Sequence, residues 1–75
     1  MKKSVFVVVE NWHKKEEIED TLEKLREKLD SDCYITDEID TENNLISYKF
    51  DTDLTVIPDL TNYSQCIRGY IVMIN

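Results

Sequence analysis

The chain has 75 residues, 41% of them hydrophobic and 33% charged, and a net charge of −7 at pH 7. This is the size of one small domain, spanning 1–75, near the lower limit for a core that folds without disulfides or metal. The acidity argues against nucleic acid or an anionic membrane as a direct ligand, because both are bound by clustered Lys and Arg that displace counterions.

The opening "MKKSVFVVVE" imitates a signal peptide, but its apolar run is about five residues and ends at Glu10, short of a usual apolar region. No stretch approaches the ~20 apolar residues of a membrane span, so a cytoplasmic protein is expected. Residues 4–9 are β-branched and apolar on both faces, which predicts a central strand. "ENWH" follows as a connection, with Asn11 or His13 expected to cap the next helix and Trp12 to pack over its first turn.

From about Lys14 to Asp30 the pattern is helical. Ile18, Leu22, Leu25 and Leu29 recur at steps of four, three and four, which sets them on one stripe. Acids crowd the early turns and bases the last, the distribution the helix dipole favours, so these charges need no functional explanation.

"CYITDEID" alternates next, with Cys33, Ile35 and Ile39 on one side. "TENN" is turn chemistry, and "LISYKF" resumes the alternation with Ile46, Tyr48 and Phe50 inward. Together they predict a hairpin with one apolar and one polar face. Residues 51–66 are ambiguous. Pro58 can open a short helix over Asp59–Gln65, or the segment can be an irregular loop, with residues 54–57 as a brief strand. "IRGYIVMIN" ends the sequence as a strand apolar on both faces.

The element order predicts an α+β fold of the ferredoxin-like, split βαβ kind: βαββ(α)β, an antiparallel sheet with one long helix on one face. The rival is a four- or five-stranded sheet with a single helix. Either way one sheet face is left open, and its apolar candidates are Phe6 and Val8 with Tyr70, Val72 and Ile74. A contiguous apolar patch of that kind marks a protein interface, including that of a homodimer.

Chemistry is scarce. Cys33 and Cys66 are too few and too far apart for a disulfide framework or a zinc site, and they read as reduced thiols. His13 is the only histidine, and nothing in the sequence brings it to either cysteine. With a single glycine there is no phosphate-cradling loop. Asp40, Glu42, Asn44 and Asp51 fit positions 1, 3, 5 and 12 of a calcium loop, but Leu45 stands where glycine is required. No catalytic residue, cofactor or metal is expected.

What remains is the charge distribution. Residues 1–30 hold eight acids and seven bases, whereas residues 31–75 hold eight acids against Lys49 and Arg68 alone. Asp37, Glu38, Asp40 and Glu42 line one arm and the turn of the hairpin, and Asp51 and Asp53 follow on the return. Outward residues two apart on a strand are separated by roughly 6.5–7 Å, a spacing of the order of successive phosphates. The expectation is therefore a small acidic protein-binding inhibitor, of the kind carried by phages and mobile elements. Its hairpin would occupy the basic surface of a nucleic-acid-handling host or defence protein. The alternative is a non-catalytic regulatory module that self-associates through its open sheet face.

Overall fold

The computed structural model describes residues 2–74, leaving aside the side chains of residues 37–39. The elements are β1 (Lys3–Glu10), α1 (Lys15–Leu29), β2 (Cys33–Asp40), β3 (Leu45–Thr52) and β4 (Ile67–Ile74). The strands form one four-stranded antiparallel sheet in the order β2-β3-β1-β4, with α1 on one face. The architecture is therefore a small α+β fold with a single helix among the described residues.

The registers decide which side chains meet α1. Val5, Val7 and Val9 of β1 stand opposite Phe50, Tyr48 and Ile46 of β3. All six are buried or half-buried, and they pack with Ile18, Leu25 and Leu29 of the helix. Val5, Val7, Phe50, Leu25 and Leu29 are fully buried, each worth roughly 1.5–3 kcal/mol relative to an exposed side chain. Leu22, the fourth member of the predicted stripe, is only half-buried, while Thr21 is buried in its place.

The helix ends depart from expectation. The residue before its first turn is Lys14, with no side-chain cap, and Trp12 is 65% exposed rather than packed over that turn. Glu16 and Glu17 at the start and Arg26 and Lys28 at the end compensate through the dipole. At the other end Asp30 takes a left-handed conformation (φ 49°), and its N–H and that of Ser31 both donate to the Arg26 carbonyl. The buried Thr52 hydroxyl donates to the Leu29 carbonyl at 2.6 Å, tying the helix end to the end of β3.

Residues 53–66 form neither the short helix nor the brief strand: the segment is irregular and turn-rich. Asp59 shows why. Its Oδ1 accepts from the Thr61 backbone N–H at 3.1 Å and from the Thr61 hydroxyl at 2.8 Å, a local turn that competes with helix. The segment nevertheless covers core. Leu60 is fully buried, and Leu54, Ile57 and Tyr63 pack beside it.

Candidate functional site

Three surfaces carry the residues of interest: the hairpin with its acids, the outer edge and open face of the sheet, and the junction where β1 runs into α1.

At the hairpin, Thr41–Asn44 form the turn, and Asn44 (φ 55°) supplies the left-handed residue. Asp40 closes it, its carboxylate accepting from the Asn43 backbone N–H at 3.2 Å and from the Asn43 side-chain amide at 2.7 Å. Those hydrogen bonds, the side-chain one first, hold the Asp40 carboxyl below its ordinary value. Glu42 is exposed in the same turn. Asp37 and Glu38 lie on backbone where the β2–β3 register slips between Ile35 and Ile39, a bulge on β2. Their side chains fall outside the described residues.

Asp51 and Asp53 do not join them. Asp51 lies six residues along β3 from Leu45, roughly 20 Å on an extended strand. It is half-buried, accepts a hydrogen bond from the Ser4 hydroxyl at 3.0 Å and lies 3.8 Å from the Lys49 ammonium. Asp53 is exposed just beyond that end of β3. Asp40 and Glu42 at the turn thus stand apart from Asp51 and Asp53 at the other end of β3. The calcium-loop frame fails for the same reason, and Asp40 is already engaged by Asn43.

The apolar set also divides. Phe6 and Val8 face away from the helix, opposite Lys49 and Ser47 on β3. Tyr70, Val72 and Ile74 stand opposite Val7, Val5 and Lys3, the side of the sheet that carries α1. The open-face residues of β4 are Ile71 and Met73, opposite Phe6 and Ser4. A bulge between Val8 and Val9 causes this: Gly69 pairs with Val8 and Ile67 with Val9, leaving Arg68 as the extra residue. Phe6, Val8, Leu45, Ile71 and Met73 line a shallow depression of about 660 Å³ with Asp40 at its rim. The helix side of β4 is not sealed either. Val72 and Ile74, which point to that side, are 37% and 68% exposed.

The third surface is one that sequence reasoning missed. His13, Glu17 and the fully buried Cys66 each offer a ligand atom, all within 4.8 Å of one another. Strand order explains the meeting. β4 runs antiparallel beside β1, so the residue entering β4 must lie next to the residues leaving β1. The Glu10 N–H donates to the Cys66 carbonyl at 2.8 Å. The His13 ring is 7% exposed, stacked on Trp12 at 3.8 Å between centroids. Its Nε2 lies 3.5 Å from Glu10 and its Nδ1 3.5 Å from Glu17.

Cys33, the other thiol, is half-buried on β2 among Ile18, Leu22, Arg26, Ile35 and Tyr48. Burial pushes it up to about 11, against the opposing pull of Arg26. It is held as a thiol, the wrong form for a nucleophile. Among the described residues no helix is long and apolar enough to cross a membrane. Compared with protein-family models, curated proteins and solved structures, the chain matches none.

Proposed function

We propose that the protein is a non-catalytic binding module that pairs with a second copy of itself through β4 and turns its acidic hairpin outward. In this reading the sheet is of the ferredoxin-like kind, with the irregular 53–66 segment standing where such folds carry a second helix. The observation that carries it is the outer edge of β4. Four consecutive apolar side chains are exposed there on a strand that, among the described residues, pairs only with β1. Protein edges are ordinarily blunted by Lys, Pro or inward-pointing charges, and β4 holds only Arg68 at its start.

Charge favours a second copy as the occupant. No Asp or Glu occurs after Asp59 in the sequence, whereas four acidic residues stand between Asp37 and Glu42 on the far edge and its turn. Two chains of −7 therefore repel least when they meet β4 to β4. Antiparallel pairing would make one eight-stranded sheet, join the two Phe6–Val8–Ile71–Met73 surfaces, and leave both acidic hairpins at the outer ends.

The test is sedimentation of the wild type and of the double variant Ile71→Lys, Met73→Lys at micromolar concentration. A dimer that becomes a monomer with an unchanged circular-dichroism spectrum supports the reading. A wild type that sediments as a monomer overturns it.

A second reading concerns what the hairpin meets. Asp40 and Glu42 are exposed on the β2 side of the molecule, where they can dock on a basic, nucleic-acid-handling protein surface and inhibit it as a decoy. Such binding weakens steeply with salt. It is lost when Asp37, Glu38, Asp40 and Glu42 are replaced by the corresponding amides. A partner retained equally by that folded variant at low salt would remove the decoy.

A further inference from the structure

The geometry points to a zinc-class metal site at the junction of β1, α1 and β4, built from His13 Nδ1, a Glu17 carboxylate oxygen and Cys66 Sγ. The ligand types decide the class of ion. A thiolate with an imidazole and a carboxylate suits Zn2+ and its spectroscopic substitute Co2+, whereas Mg2+ and Ca2+ take oxygen ligands.

The distances fit that coordination. With metal–ligand bonds of about 2.0–2.3 Å, tetrahedral ligands lie roughly 3.3–3.7 Å apart. His13 Nδ1 and Glu17 Oε2 are already 3.5 Å apart. The widest separation in the set, up to 4.8 Å, needs a closure of about 1 Å, within reach of side-chain rotation. Three protein ligands leave the fourth position for water.

The surroundings are those of a built site. Metal-bound histidines characteristically donate their other ring N–H to a carboxylate, which fixes the tautomer and the ring plane. Glu10 stands 3.5 Å from Nε2 to accept that proton, and Arg68, 3.7 Å from Glu10, steadies the acceptor. Trp12 stacks on the ring face. Cys66 is placed by its neighbour. The Ser64 hydroxyl accepts from the Cys66 N–H at 3.1 Å and shares a 2.6 Å hydrogen bond with the Thr21 hydroxyl on α1. A depression of about 310 Å³ lined by Glu17, Thr21, Ser64 and Cys66 gives an entry path.

The site would close the irregular 53–66 segment onto the start of the helix. Metal binding then adds to folding stability, as structural zinc does in small domains. It also fixes the entry of β4 against the end of β1.

The experiment is a Co2+ titration of the reduced full chain with a non-thiol reductant, read by absorbance, with Zn2+ competition and thermal melting. Expected are one Co2+ per chain, a thiolate-to-cobalt charge-transfer band displaced by Zn2+, and a melting temperature that rises with Zn2+. Cys33→Ser should keep the band. Cys66→Ser should lose it, and Glu17→Gln, a change at a half-exposed side chain, should weaken Co2+ binding at least about ten-fold. Should Cys66→Ser fail to fold, Glu17→Gln carries the decision. A spectrum without the thiolate band, a band that follows Cys33 instead, or a Glu17→Gln variant of wild-type affinity would each overturn the site.

Discussion

Leu60 is the sharpest probe of how this chain completes its core. It belongs to the irregular 53–66 segment yet is fully buried, while Val56 in the same segment is 76% exposed. If the segment is an integral cover, Leu60→Ala removes a wholly buried side chain and leaves a cavity, at a cost of about 2–5 kcal/mol. A domain of this length has a total stability of roughly 4–11 kcal/mol at 0.05–0.15 kcal/mol per residue. The variant therefore sits near the edge of folding. Its melting temperature should fall by about 8–40 °C, at roughly 4–8 °C per kcal/mol for a small domain. Val56→Ala, made alongside, should stay within about 0.5 kcal/mol. The assay is urea unfolding followed by Trp12 fluorescence and circular dichroism. A Leu60→Ala cost below about 1 kcal/mol, or one equal to that of Val56→Ala, would mean that the segment drapes over a core already complete without it.

Three further outcomes follow from local geometry. Because the Asn43 hydrogen bonds lower the Asp40 carboxyl, the turn's contribution is present above the ordinary carboxylate value and lost as pH falls through the lowered one. An NMR titration should show the Asp40 pKa rising in Asn43→Ala, and an unmoved value would deny the contact. Cys33, pushed up to about 11 by burial, should alkylate at pH 8 at least about ten-fold more slowly than a free cysteine peptide. Its preference for the thiol adds stability that is present below the ordinary thiol value and fades as pH rises through about 11. A reaction at the free-peptide rate would refute the burial. Gly69 has no positive φ, and an added Cβ would meet nothing within 4 Å. Gly69→Ala should therefore stabilise by about 0.4–1 kcal/mol in the same urea assay, by restricting the unfolded chain. A loss of stability would show that the backbone there is not free to carry a side chain.

Much of the fold was legible wherever side-chain periodicity was strong. The stripe through Ile18, Leu25 and Leu29 announced α1, and the alternation through Ile46, Tyr48 and Phe50 announced the inward face of β3, because in both a single face meets the core. Legibility stopped where periodicity did. "YIVMI" is apolar at every position, so it carries no parity of its own. Its parity is set by the bulge at Arg68, which sends Tyr70, Val72 and Ile74 to the helix side and Ile71 and Met73 to the open face. The 53–66 segment was ambiguous because Pro58 favours a helix start while the Asp59–Thr61 hydrogen bonds favour a turn, and the burial of Leu60 is a tertiary fact.

The candidate site was illegible for a different reason. Cys66 and His13 are brought together by sheet order, and no local pattern in either stretch announces the other. A signal did exist at the level of topology. Once the first and last strands are neighbours and antiparallel, the residue entering β4 must abut the residues leaving β1, which places Cys66 beside Glu10 and His13. The same argument separates the acids. Asp37–Glu42 and Asp51–Asp53 look contiguous on paper because the hairpin returns between them. An eight-residue β3 carries the second group to the other end of the sheet, so a strand that makes a hairpin also disperses its charge. The result is a molecule polarised across its sheet, acidic where β2 turns into β3 and free of carboxylates along β4. A protein divided in this way can bury one edge and present the other without the two tasks competing for the same residues.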